Sequence, residues 1–125
     1  MNFYDLIKQQ NLGNLLLSGN FGLEKENVRT DLAGNIALTP HPDAFGDKAK
    51  HPYITTDFAE AQVEMVTPIF DTTKEALNFV EALHDIVSLE LHSEVLWPYS
   101  LPPVLPHDDH LIKAAQFTDP EITEY

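Results

Sequence analysis

Residues 61–67, Ala-Gln-Val-Glu-Met-Val-Thr, alternate strictly between apolar and polar side chains until Pro68 stops the run. Side chains along a strand point to opposite faces in turn, so Ala61, Val63 and Met65 share one face, while Gln62 and Glu64, in step with Glu60, share the other. The stretch Gly22-Leu-Glu-Lys-Glu-Asn-Val-Arg29 follows the same rule, and its Glu24 and Glu26, two apart, point to one face. Two acidic strands with apolar backs can pair into a sheet whose concave face is lined by carboxylates. Asp57 stands seven residues before Glu64, an odd separation. It can join that face only if a bulge, bend or helical turn intervenes near Phe58.

The remaining elements follow from period and punctuation. Phe3, Leu6 and Ile7, then Leu12, Leu15 and Leu16, recur at helical spacing around Gly13, which predicts one broken helix or two short ones. The strand from Phe21 ends in the turn signal Asp31-Leu-Ala-Gly34-Asn35, and a second run over 35–39 predicts an antiparallel hairpin. Residues 40–52 carry three prolines and a glycine and read as a surface loop. Residues 53–58 are β-prone. Thr72 followed by Glu75 is a capping box, and Ala76, Phe79, Val80, Leu83, Ile86, Val87 and Leu91 behind it predict a long amphipathic helix. Pro98, Pro102, Pro103 and Pro106 then force an extended path, with a further helix expected over 111–117.

Charge narrows the partners. Lys and Arg total 7 against 20 Asp and Glu, a net charge of −13, so nucleic acid is disfavoured and an anionic substrate such as ATP requires bound cations or basic groups from elsewhere. No cysteine is present, which excludes disulfides and thiolate metal sites and fits a reducing compartment. Asp5 and Lys8 interrupt the opening apolar stretch and no run approaches the ~20 residues a bilayer needs, so no membrane is expected and a soluble, cytoplasmic protein is. Paired carboxylates on one face repel one another unless water or a cation separates them, and hard Mg²⁺ favours such oxygen ligands. A solvated strand face is the alternative for either segment taken alone.

The strings GLEKENVR, ALTPHP, YITTDFAEAQVEMVTP, LHDIV and LWPYSLPP, in this order and at these separations, resemble the opening segments of bacterial glutamate–cysteine ligases, and most closely the form fused to a glutathione synthetase. The resemblance runs from about Leu16 to about Phe117. It implies an α+β fold, with residues 1–125 a single partial domain: the N-terminal part of a glutamine-synthetase-like curved antiparallel sheet with flanking helices. It also implies an ATP- and Mg²⁺-dependent reaction in which the γ-carboxylate of L-glutamate is phosphorylated and then captured by the amine of L-cysteine. Carried over residue by residue, Glu24, Glu26, Asp57 and Glu64 match metal ligands, Phe58 a position near the cysteine pocket, and Glu60 a support or neighbour of the ligands. None of these is expected to be catalytic in the sense of an acid, base or nucleophile.

Other residues have plainer readings. Arg29 reads as a surface salt bridge, Trp97–Pro103 as a helix stop over a packed aromatic, His107–His110 as solvated loop, and His84 with His92 as a surface or packing pair on one helix. Family members run to several hundred residues, and the basic groups that hold ATP come from later segments. The expectation is therefore an enzyme fragment that is inactive alone and prone to self-association. A ligase of the same fold using another amine, or a non-catalytic acidic cation-binding module, are the rival readings.

Overall fold

The apolar parity of two strands needs a cover, and one helix supplies it. The computed structural model describes residues 2–117, apart from the side chain of Leu17. Two short helices open the chain, α1 (Phe3–Gln9) and α2 (Gly13–Leu17). Strand β1 (Glu24–Asp31) follows, then β2 (Ile54–Thr55), β3 (Gln62–Val66), helix α3 (Thr73–Glu90) and β4 (Glu94–Leu96). The sheet order is β2-β3-β1-β4 and every pairing is antiparallel, so the architecture is α+β.

Val63 and Met65 are completely buried beneath α3, where Leu83, Val87 and Leu91 meet them together with Phe45 and Ile54. Each such side chain contributes roughly 1.5–3 kcal/mol by leaving water, so this layer holds the helix on the sheet. Thr72 caps α3 as the sequence anticipates: its hydroxyl accepts from the Glu75 amide at 3.2 Å and meets the Glu75 carboxylate at 2.7 Å. Ile86, assigned to the apolar stripe, is instead half exposed on the flank of the helix.

The turn after β1 is built by Asp31, whose carboxylate accepts from the amides of Ala33 and Asn35 and from the Asn35 side chain. Gly34 occupies a left-handed conformation (φ +84°), and a Cβ there would lie 3.3 Å from the Trp97 ring, so both backbone and packing demand glycine. Residues beyond the turn make only isolated bridges, Thr30 to Ile36 and Asn35 to Val104, a weaker hairpin than expected. β4 was not anticipated: three residues after α3 pair with the far half of β1 before the prolines begin. The helix expected over 111–117 does not form. A 3-10 turn, Asp109–Leu111, gives way to an extended segment bridged through Ala114 to Ala59.

Residues 40–52 are only partly a surface loop. A 3-10 turn, Asp43–Phe45, drives Phe45 into the core, and His41 is buried edge-on against it, 5.5 Å between ring centroids. Burial, reinforced by the charges of Lys48 and Arg29, pushes the His41 imidazole down to about 4. Its folded-state value lies below the unfolded one, so the unfolded chain binds the extra proton between these pH values. His41 thus contributes stability that is complete above about pH 6.5 and is lost as pH falls toward 4. Thermal unfolding followed by circular dichroism should show a midpoint that falls across this interval, and His41→Phe should flatten that slope.

Candidate carboxylate face

The register of β1 against β3 decides which acidic residues meet. Glu26 stands directly opposite Glu64, Glu24 opposite Val66, and Val28 opposite Gln62. These residues occupy the face away from α3, because the alternating partners Lys25–Met65 and Asn27–Val63 turn toward the helix. Glu24, Glu26 and Glu64 therefore share one side of the sheet. Thr55 of β2 flanks Glu64 on the other edge.

Asp57, beyond a bend of the kind its odd spacing required, lies near enough for its charge to act on Glu64. Between β2 and β3 the Thr56 hydroxyl donates to the carbonyls of Ala59 and Gln62, the Gln62 amide returns to the Ala59 carbonyl at 2.9 Å, and the Gln62 side-chain oxygen accepts from Ala59 at 2.7 Å. This knot turns the chain before β3 resumes alternation. Partial burial pushes the Glu64 carboxyl above its ordinary range, and the charges of Glu24, Glu26 and Asp57 push it further in the same direction. The ion pairs among the described residues are Arg29–Glu94, Lys48–Glu60 and Lys50–Asp47, and none relieves this face. The nearest cation in sequence, Lys25, lies on the helix side with its ammonium 3.2 Å from His84 Nδ1 and touching the Asn27 amide oxygen.

Several residues lie elsewhere than the sequence suggests. Glu60, in step with Glu64 by parity, is buried outside the acidic group: Lys48 holds both its oxygens (2.7 and 2.6 Å), and the amides of His41 and Gln116 donate to it. Those partners hold its carboxyl below the ordinary range despite burial. The turn at residues 60–61 breaks the alternation before β3 begins, which is why parity misplaces it. Arg29 is not a surface residue: it is 0% exposed and bonds Glu94 at 2.5 Å. His84 faces Lys25, whereas His92 lies past the end of α3 in a left-handed conformation (φ +50°), so the two do not form a pair on one helix. Phe58, beside Asp57, is 83% exposed. In the exposed stretch 107–110, Asp108 caps the 3-10 turn by accepting from the His110 amide.

Beside Glu26 lies a cleft of about 610 Å³ that the sequence reading did not anticipate. Glu26, Val28 and Gln62 contribute to it from the sheet, and residues 97–103 wall it. Its wall is fixed by three bonds: Trp97 N to Val28 O, Asn27 Nδ2 to Trp97 O, and Trp97 Nε1 to Leu101 O at 2.6 Å. The signals in the sequence are the string LWPYSLPP, which carries part of the family resemblance, and the indole of Trp97 ahead of Pro98, whose simplest reading is packing. Among the described residues, no three His, Asp or Glu side chains converge closely enough to hold a metal ion. The acidic face presents oxygen donors of the type magnesium takes, and no ion pair among the described residues neutralises them.

Residues 4–125 match the glutamate–cysteine ligase family. The chain belongs to that family. It is 53% identical over 102 residues to the glutathione biosynthesis bifunctional protein of Desulfotalea psychrophila, covering 82% of this chain and 13% of that protein. The crystal structure of a bifunctional glutathione synthetase from Pasteurella multocida superimposes with a TM-score of 0.84 at 40% identity, covering 94% of this chain and 15% of that one. A glutamate–cysteine ligase from Francisella tularensis in complex with AMP gives 0.67 at 29% identity over 78% of this chain and 20% of its own. The chain thus spans about one seventh of the length of its bifunctional relatives. No helix among the described residues is long and apolar enough to cross a membrane.

The acidic geometry is directly measurable without any metal. Replacing Glu26 by Gln removes one of the three charges acting on Glu64, so the Glu64 carboxyl, followed by carbon-detected NMR titration, should move back toward the ordinary glutamate range. An unmoved Glu64 titration would mean that the two side chains do not face each other.

Proposed function

We propose that this chain supplies part of the magnesium-binding floor of an ATP-dependent glutamate–cysteine ligase, as its N-terminal portion, with Glu24, Glu26, Asp57 and Glu64 as metal ligands. The observation that carries the reading is the direct opposition of Glu26 and Glu64 on a face where Glu24 and Asp57 add like charge and no ion pair among the described residues answers it. The like charges that gather around Glu64 oppose its ionisation, and a bound cation would offset that repulsion.

The reaction proposed is the joining of L-glutamate to L-cysteine. The γ-phosphoryl group of ATP passes to the γ-carboxylate of glutamate, releasing ADP, and the cysteine amine then displaces phosphate to form γ-glutamylcysteine. Magnesium, when bound, supplies positive charge where negative charge gathers on the transferring phosphoryl oxygens. The residues of this chain that would hold that charge include Glu26 from β1 and Glu64 from β3, whose backbones the sheet's hydrogen bonds, rather than flexible loops, set opposite each other. Phe58, exposed beside Asp57, presents an apolar surface where the cysteine side chain would lie. Glu60 anchors the turn that delivers Asp57 and stands outside the ligand group.

The chain does not carry the whole reaction. A triphosphate needs basic partners, yet Lys25 faces the helix and Arg29 is neutralised by Glu94 beneath the sheet. Losing substrate positioning alone can remove roughly 7–11 kcal/mol of barrier lowering. The test is a chimera in which this chain replaces the matching segment of the Desulfotalea psychrophila protein, assayed for cysteine-dependent ADP release with product identified by mass spectrometry. The chimera should turn over while the isolated chain should not. Glu26→Gln in the chimera should lower turnover about tenfold or more and raise the magnesium concentration required. An unaltered magnesium requirement would remove Glu26 from the ligand set, and turnover by the isolated chain near the chimera's rate would show a complete site within residues 1–125.

A further inference from the structure

The alternation that sorts acidic from apolar residues does not by itself bring Glu26 to Glu64. A slip of one residue between β1 and β3 would turn the slipping strand's carboxylates into the core and is forbidden by burial. A slip of two residues is different. It keeps Val63 and Met65 under α3 and all acidic residues on the open face, yet it sets Glu26 opposite Gln62 or Val66 instead of Glu64. Both faces keep their character in these registers, so a polar contact that spans the two strands adds to core packing and the backbone ladder in selecting one.

We propose that Arg29 is a positioning residue that fixes this register and thereby sets the Glu26–Glu64 pair for metal. β1 changes partners at this residue: 24–28 pair with β3 and 29–31 with β4. The Arg29 amide donates to Ala61 O at 2.8 Å, and its carbonyl accepts from Ala37 at 2.9 Å. Beneath the sheet its guanidinium reaches three separate segments. Nη1 donates to Thr39 Oγ1 (2.8 Å) and to Glu94 Oε2 (2.5 Å), while Nη2 donates to the carbonyls of Thr39 and Glu60 (both 2.9 Å).

The bond to Glu60 O is the decisive one, because Glu60 stands two residues ahead of β3 and a two-residue slip would carry that carbonyl out of reach. Glu60 cannot follow a slipping strand, since its carboxylate is tied to Lys48 and to the amides of His41 and Gln116. A chain of fixed groups therefore runs from the 40–48 loop through Glu60 to β1. Buried ion pairs often add little net stability while selecting one arrangement among near-equals, which is the behaviour required here. Lysine, with a single ammonium on a flexible stem, cannot reproduce a planar fork that meets four acceptors.

This inference rests on the metal-binding reading above, and the experiment separates the two. In the full chain, Arg29→Lys, Arg29→Met and Glu94→Gln are compared with the parent sequence and with Glu26→Gln. Three quantities are read: thermal midpoint, the cross-strand NOE between the α-protons of Glu26 and Glu64, and Mn²⁺ affinity by electron paramagnetic resonance. The Arg29 variants should keep α3 by circular dichroism, lose or weaken the 26–64 NOE, and bind Mn²⁺ about tenfold or more weakly. Glu94→Gln, which leaves the bonds to Thr39 and Glu60 in place, should fold and show a smaller loss. It keeps the inference testable if the Arg29 variants do not fold. A folded Arg29 variant with the NOE intact and Mn²⁺ affinity within about twofold of the parent would overturn the proposal, as would a Glu94→Gln chain indistinguishable from the parent in all three readouts. If the parent's Mn²⁺ affinity is unaffected by Glu26→Gln, the metal reading fails, and the NOE alone then decides whether Arg29 sets the register.

Discussion

The pairing of β1 with β3 is the constraint on which the molecule turns, because it joins two incompatible surfaces back to back. One side carries Val63 and Met65 beneath α3, with no exposure to water; the other carries Glu24, Glu26 and Glu64 side by side. The apolar side contributes the favourable energy and the acidic side opposes it. Like charges directly opposite across an antiparallel pair are destabilising. The sheet tolerates its acidic face because the hydrophobic layer behind it and the backbone ladder are strong enough to hold the strands together.

Polar groups beneath the sheet do a different job from the apolar ones. Buried Arg29 and Glu60, with half-buried Glu94 and exposed Thr39, form a network that reaches β4, the segment after the first turn and the lead into β3. Trp97 extends this scaffold outward: its backbone pairs with Val28, its indole closes on Leu101, and its ring packs on Gly34. The result is a cleft whose wall is held at fixed height next to Glu26. Apolar side chains stay exposed at a distance from this framework, among them Phe3, Tyr4, Leu15 and Leu16 on the opening helices and Leu77 and Leu89 on α3. They form part of a surface on a chain that spans about one seventh of its bifunctional relatives.

Much of this was legible in the sequence wherever a local rule and the tertiary structure agree. The alternation of 61–67 gave β3 its faces, Thr72 and Glu75 gave the start of α3, and the odd spacing of Asp57 from Glu64 required the bend found at residues 56–62. Illegible features were those decided by distant partners. Arg29 looks like any strand cation until Thr39, Glu94 and Glu60 close around it. Glu60 obeys the parity of its neighbours on paper, but Lys48 from a loop twelve residues earlier draws it away. β4 is three residues long, too short for a pattern, and is defined by its pairing with the outer half of β1. The segment 111–117 has helical composition, yet its backbone is claimed by Ala59 and Phe58.

The central claim is that β1 and β3 form one cation site rather than two solvated acidic strands. It is tested most directly by titrating Mg²⁺ into the chain while following every side-chain carboxyl carbon by NMR. If the claim holds, Glu24, Glu26, Asp57 and Glu64 shift together along a single saturating curve, while Glu81, Asp108 and Asp109 stay still. Equal, unsaturating shifts at all acidic residues, or none at these four, would contradict it.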